Sequence, residues 1–73
     1  MTPFTPAAKK ALERASHEAD ALDHAIVGTE HVLLGLIAVG DENVELILSD
    51  LNVQPEQIRA KVLGMMSGRS DAV

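Results

Sequence analysis

The stretch Val27–Ile37, with the sequence VGTEHVLLGLI, decides the fold of this 73-residue chain. Gly28 permits backbone angles that the entrance of a helix can need, and Thr29 is a suitable cap for the free amides of a first helical turn. Glu30 follows in that turn, where the positive end of the helix dipole stabilises a carboxylate. Gly40 is typical of the position just past a helix end. We therefore predict a helix capped by Thr29, and its expected buried stripe is Val32, Leu33, Leu36 and Ile37.

Upstream of this stretch, Thr5 and Pro6 predict the start of a first helix. Thr can cap the free amides, and Pro fits the first turn because its missing N–H has no partner to lose there. Small apolar residues then recur every three or four positions, so a second helix can approach closely. The predicted buried stripe is Ala8, Ala11, Leu12, Ala15, Ala19 and Leu22, whereas Lys9, Lys10, Glu13, Glu18 and Asp20 are assigned mostly to the polar face.

Downstream, two more helices are predicted. Asp41 is a suitable cap for a short third helix, and Asn52 can end it because Asn tolerates the left-handed conformation. A fourth helix is expected to start near Pro55. The predicted buried residues are Val44, Ile47, Leu48 and Leu51 in the third helix, and Ile58, Val62 and Met65 in the fourth, with Met66 as an additional candidate. The expected fold is a compact, all-α, four-helix unit over residues 1–67, followed by a flexible tail over residues 68–73.

Composition narrows the class of function. Eleven acidic against six basic side chains give a net charge of -5, and one Phe is the only aromatic residue, which disfavours nucleic-acid binding. The chain has no Cys, so it has neither disulfides nor a thiolate metal site. The N-terminus lacks the pattern of a targeting peptide, and no window approaches the ~20 apolar residues that span a bilayer. A cytoplasmic protein that contacts no membrane is predicted.

The stretch Val27–Ile37 also resembles the signature of the Clp N-terminal repeat, found at the head of ClpA- and ClpC-type unfoldases. The likeness covers roughly residues 4–66. It includes Phe4–Pro6, Ala8–Lys10, Leu22, His24 and Leu51–Val53, whereas Asp23 and Asn52 stand where the family commonly has glycine. The resemblance implies a single four-helix repeat, half of the usual tandem eight-helix domain. Because the chain begins just before the repeat and ends just after it, a free-standing single-repeat protein is favoured over an excised half-domain.

The resemblance also implies protein binding. Family members recognise substrates and adaptors, and some of them recognise arginine-phosphorylated chains. The matching positions here are Gly28, Thr29 and Glu30: backbone N–H groups of the helix start could receive a phosphate, and the Glu30 carboxylate a guanidinium. The alternative is that Thr29 is only a cap and Glu30 only complements the helix dipole.

Phe4 is a secondary candidate for ligand binding. A lone aromatic residue before a helix cap can fold back as a hydrophobic staple or stay exposed as a contact. In the family that this chain resembles, the entrance of the first helix helps to form a groove for peptides and some cyclic peptide antibiotics. We therefore expect Phe4 to contact peptide-like ligands.

Three histidines are better explained by structural roles than by metal binding. His17, His24 and His31 lie seven residues apart, and no HExxH motif or Cys/His cluster accompanies them. His31 is expected to form a hydrogen bond within the helix entrance, and His24 to cap the end of the first helix. We predict no metal and no cofactor.

Enzyme activity is not predicted. Neighbouring residues on a helix point about 100° apart, so two adjacent polar side chains cannot act together as a nucleophile and its base. The sequence also contains no Gly-rich phosphate-binding loop. The predicted function is a non-enzymatic chaperone-system module that binds Clp substrates, adaptors, the unfoldase or cyclic peptides. We expect it to act as a homodimer that imitates the missing second repeat. The alternative is a structural or regulatory subunit that docks on a Clp unfoldase without a ligand pocket.

Overall fold

The fold consists of four α-helices in a computed structural model that describes residues 3–67. The helices are α1 (Pro6–Ala21), α2 (Thr29–Val39), α3 (Glu42–Asp50) and α4 (Pro55–Ser67). Residues 3–67 contain no β-strand, so the all-α, four-helix prediction is confirmed. The flexible tail predicted for residues 68–73 lies outside the described residues, and the domain boundary at residue 67 stays a prediction.

The start of α1 follows the sequence signals. Thr5 has an extended backbone, with φ -68° and ψ 161°, and its side-chain oxygen accepts a hydrogen bond of 3.1 Å from the N–H of Ala8. Pro6 is the first helical residue. The predicted cap is therefore confirmed, and it fixes where α1 begins.

Two helices end in the same left-handed turn without glycine. After α1, Asp23 has a φ of 60°, and the next N–H, that of His24, reaches the carbonyl oxygen of Ala19 at 2.9 Å. After α3, Asn52 has a φ of 59°, and the N–H of Val53 reaches the carbonyl oxygen of Leu48 at 2.9 Å. Both turns satisfy carbonyls that a helix end leaves unpaired. Asp and Asn are among the few non-glycine residues that accept this conformation at modest cost.

The closest packing in the fold lies between α1 and α2, at Gly35. A Cβ atom added to Gly35 would lie 2.9 Å from the backbone nitrogen of Ala15 and closer still to the carbonyl oxygen of Ala11. The helices can approach this far only because both faces carry small residues. The buried residues are Ala11, Ala15, Glu18, Ala19, His31, Leu34, Gly35 and Met66. The predicted burial of Ala11, Ala15 and Ala19 is confirmed. Ala8 and Leu22 are only half-buried, and Leu12 is exposed.

The predicted stripe of α2 is wrong. The residues that face the core are His31, Leu34 and Gly35, whereas Leu33 is exposed. The other members of the predicted stripe, Val32, Leu36 and Ile37, are half-buried. Since α2 is apolar on nearly every side, periodicity could not fix its rotation, and the close approach at Gly35 decides it instead.

The predicted burial in α3 and α4 also needs correction. Ile47 and Leu51 are 59% and 65% exposed, because no element within residues 3–67 covers that part of α3. In α4 the additional candidate Met66 is buried, whereas Met65, which was predicted to be buried, is exposed. Ile58 and Val62 are half-buried. No helix in the described part of the chain has the length and apolar character needed to cross a membrane.

Candidate binding site at the entrance of the second helix

The entrance of α2 is built by Gly28, and the predicted cap is wrong by one residue. Gly28 is the capping residue, with an extended backbone at φ -103° and ψ -179°, and Thr29 is the first residue of the helix. The Gly28 carbonyl accepts hydrogen bonds from the N–H groups of His31 at 3.1 Å and Val32 at 3.2 Å. Because the carbonyl of Gly28 accepts the first hydrogen bonds of the helix, Thr29 already belongs to the first turn. The side chain of Thr29 is exposed.

A histidine completes this entrance. The Nδ1 atom of His31 accepts a hydrogen bond of 2.8 Å from the N–H of Gly28. This is the contact that a Glu or Gln three residues after a cap often makes in a capping box. The predicted hydrogen bond of His31 within the helix entrance is confirmed. The Gly28 amide is therefore occupied.

The same imidazole ties α2 to the end of α1. The Nε2 atom of His31 lies 2.8 Å from the Nδ1 atom of His24, and the two rings pack edge to face with their centroids 5.0 Å apart. Since the Nδ1 atom of His31 accepts the Gly28 N–H, its proton is on Nε2 and is donated to His24. The His24 ring therefore contacts α2, while the backbone N–H of His24 caps α1.

The Glu30 carboxylate lies against the backbone of Gly28. A Cβ atom added to Gly28 would lie 3.0 Å from the Cδ atom of Glu30 and 3.3 Å from its Oε2 atom. Glu30 is half-buried, and it stands in the first turn of α2. Gly28 thus provides the space in which this carboxylate rests, and the three predicted site residues, adjacent in the chain, form the first turn of the α2 entrance. The Glu30 carboxylate can accept hydrogen bonds from a cation such as a guanidinium.

Phe4 does not belong to this cluster. It precedes α1 and is 57% exposed, so it is not folded away as a staple. The α2 entrance is held to the opposite end of α1 by the contact between His24 and His31. The 16 residues of α1 make a helix of about 24 Å. Phe4 and Glu30 therefore lie at opposite ends of α1.

A buried carboxylate that the sequence analysis placed on the polar face lies near this end of α1. Glu18 is 4% exposed, its Oε2 atom accepts from the Nε of Arg14 at 3.1 Å, and its Oε1 atom accepts from Arg59 of α4 at 3.1 Å. Burial raises the pKa of Glu18, but the hydrogen bonds from Arg59 and Arg14 outweigh it and hold the pKa below its ordinary value. The spacing of Arg14 and Glu18 was visible in the sequence, whereas the Arg59 contact, 41 residues away, was not.

No group of three or more His, Asp or Glu side chains within residues 3–67 is arranged to hold a metal ion. His24 and His31 bond to each other instead. His17 is exposed on α1.

Comparison with known proteins gives one consistent family. The family model described as "Clp repeat (R) N-terminal domain" matches residues 3–71. The chain is 41% identical over 71 residues to the chloroplastic chaperone protein ClpC of Pisum sativum, and that match covers 97% of this chain and 8% of the relative. It is 44% identical over 69 residues to a ClpA homologue of Cyanidium caldarium, described as an ATP-binding subunit of the ATP-dependent Clp protease, covering 94% of this chain and 8% of the relative. The chain therefore spans about 8% of the length of these relatives.

Proposed function

The chain belongs to the Clp repeat N-terminal domain family, and on that premise we propose that it captures substrates, adaptors or peptide-like inhibitors for the Clp unfoldase and protease system. Domains of this family are protein-interaction modules rather than catalytic ones. Because the chain matches only a small part of its relatives, its own ligand has to be argued from its own residues.

The observation that carries the proposal is the placement of the Glu30 carboxylate over Gly28 at the start of α2. A half-buried carboxylate binds a guanidinium through charge-assisted hydrogen bonds, which are about twice as strong as neutral ones. Next to it, the positive end of the α2 dipole favours a negative group on the Thr29 side. A phosphorylated arginine carries both charges within one side chain, so we propose arginine-phosphorylated proteins as the ligand class.

Calorimetric titration with a phosphoarginine peptide tests this proposal, with the unphosphorylated arginine peptide as the reference ligand. We expect the phosphorylated peptide to bind more tightly, and Glu30→Gln to weaken its binding by about tenfold or more, equivalent to roughly 1.4 kcal/mol. Glu42→Gln is the matched control, because Glu42 is an exposed acid in the first turn of α3. Equal affinities for wild type and Glu30→Gln would contradict the proposal.

Phe4 supports a separate contact for apolar, peptide-like ligands, including cyclic peptides. Its exposed ring stands at the far end of α1 from Glu30. We therefore expect Phe4→Ala to weaken the binding of a cyclic peptide while leaving phosphoarginine binding unchanged within about twofold. A parallel loss of both activities would contradict two separate contacts.

The alternative function is a structural or regulatory subunit that docks on a Clp unfoldase without using a ligand pocket. Exposed apolar side chains on α3 and α4, among them Ile47 and Met65, support it. Binding of the purified chain to a purified Clp unfoldase that is unaffected by Glu30→Gln, together with no phosphoarginine binding, would favour this alternative. The expected cytoplasmic location stays a prediction, since the relative from Pisum sativum is described as chloroplastic.

The single repeat motivates a homodimer as the working form. A twofold pair would place two copies of each site residue in related positions, as closed symmetric dimers do. The tandem arrangement of the family is the reason to expect this pairing. Exposed apolar residues of α3 and α4 are available for it.

A further inference from the structure

The third helix is an amphipathic element whose apolar stripe is only partly covered within residues 3–67. None of its nine residues is buried within residues 3–67. Helices shorter than about 12 residues are marginal in water unless an apolar face packs on something. The apolar stripe of α3 is half-covered at Val44 and Leu48 and open at Ile47 and Leu51, which are 59% and 65% exposed. A covering surface for Ile47 and Leu51 is therefore missing.

A groove of suitable chemistry lies directly after α3. It has a volume of about 450 Å³. Its apolar walls come from α2, the α3–α4 connection and α4, and they are formed by Leu33, Val53, Ile58, Val62 and Met65. Leu33 and Met65 are among the exposed large apolar residues. The groove can thus accept an apolar helix face.

Charge indicates which helix it would accept. The segment Asp41–Asp50 carries four acidic residues and no basic residue. Lys61 is the one charged residue among the described residues that line the groove. An acidic helix with an apolar stripe is therefore complementary to the groove in both respects, and a basic helix is not.

We propose that the groove receives α3 of a second copy of this chain. The stripe ends at Leu51, and the groove begins with Asn52 and Val53, so the two surfaces adjoin on each copy. A twofold axis can then seat each stripe in the other copy's groove, which makes two equivalent contacts. This interface rests on the proposed function, because it is the pairing that supplies the second repeat.

Sedimentation equilibrium of the 73-residue chain from about 1 µM to about 1 mM, without ligand, tests the interface. Wild type is expected to approach twice the 7.8 kDa mass of the chain. Ile47→Lys on the stripe and Met65→Lys in the groove are each expected to weaken association by about tenfold or more. Lys61→Glu is expected to weaken it as well, by about threefold or more, through repulsion of the acidic helix.

Leu46→Lys is the matched control. Leu46 and Ile47 lie on the same helix and are both 59% exposed, but their side chains point about 100° apart. We expect Leu46→Lys to associate within about twofold of wild type. Circular dichroism at low concentration verifies that each variant is helical, which is expected because these side chains are exposed in the single chain.

Three results would overturn the interface. They are a wild type that stays monomeric over the whole range, an Ile47→Lys variant that associates like wild type, and a Leu46→Lys variant that loses as much as Ile47→Lys. The first of these results includes the case in which the chain stays monomeric because its groove serves a helix of another protein. Because no ligand is present, each of these results leaves peptide capture at Glu30 to be decided by its own titration.

Discussion

The Nε2 atom of His31 lies 2.8 Å from the Nδ1 atom of His24, and the other ring nitrogen of His31 holds the N–H of Gly28 at 2.8 Å. One fully buried imidazole thus joins the end of α1 to the entrance of α2. The position of Glu30, one residue before His31 in the same turn, depends on this junction.

We predict that His31→Ala destabilises the fold by about 2 kcal/mol or more. The substitution leaves a cavity in place of a fully buried side chain and removes the acceptor of the part-buried Gly28 N–H. Losing a hydrogen bond typically costs about 0.5–1.5 kcal/mol, and the cavity adds to it. Urea unfolding followed by circular dichroism measures the change. His17→Ala, at an exposed site on α1, is the control, and equal losses for the two variants would contradict the role of His31.

Gly35→Ala is predicted to destabilise the α1–α2 pair by about 1–3 kcal/mol, as overpacking typically does. The added Cβ would meet backbone atoms of Ala11 and Ala15, which cannot move aside as a flexible side chain could. Gly64→Ala is the control because nothing lies within 4 Å of its added Cβ. In α4 it should stabilise by about 0.5–1 kcal/mol. Thermal melts that place both variants on the same side of wild type would be inconsistent with this packing.

Stability is predicted to fall in acid through Glu18. Its folded pKa lies below the ordinary value of 4.5, because the hydrogen bonds from Arg59 and Arg14 outweigh burial. A depressed folded pKa contributes stability that is present above the unfolded value and lost as pH falls through the folded pKa. Urea unfolding from about pH 6 to about pH 3 should therefore show a smaller acid loss for Glu18→Gln than for wild type. Glu13→Gln, exposed on the same helix, should keep the wild-type slope.

Gly28→Ala is predicted to impair phosphoarginine binding through Glu30. The φ of -103° at Gly28 suits alanine, so strain is not the reason. The added Cβ would displace the Glu30 carboxylate. We expect about a threefold or larger loss of affinity in titrations, and little further loss when Glu30→Gln is added, since both changes act on one carboxylate. Additive losses would show that Gly28 acts independently of Glu30.

Most helix boundaries could be predicted because local chemistry sets them, although the cap of α2 is Gly28 rather than the predicted Thr29. Thr5, Asp41 and Gly40 act where their capping chemistry indicates, and Asn52 takes the expected left-handed turn. The rotation of α2 could not be predicted, because it has apolar residues on most sides and the contact at Gly35 fixes its orientation.

The burial of single residues depended on partners far along the chain. The charge of Glu18 predicts the polar face, and its burial depends on Arg59, which belongs to another helix. Ile47 was predicted to be buried by periodicity alone, which identifies an apolar face but not the surface that covers it. The candidate site was predicted as a set of neighbours, but the cap at Gly28 and the His24 contact required the folded arrangement.

The most direct test of the central claim is a heteronuclear NMR titration that maps which amide resonances of the chain a phosphoarginine peptide perturbs. We predict the largest shifts at Gly28, Thr29 and Glu30, with their loss in Glu30→Gln. Shifts confined to the groove around Leu33 and Val62, or no saturable shifts at all, would contradict recognition at the entrance of α2.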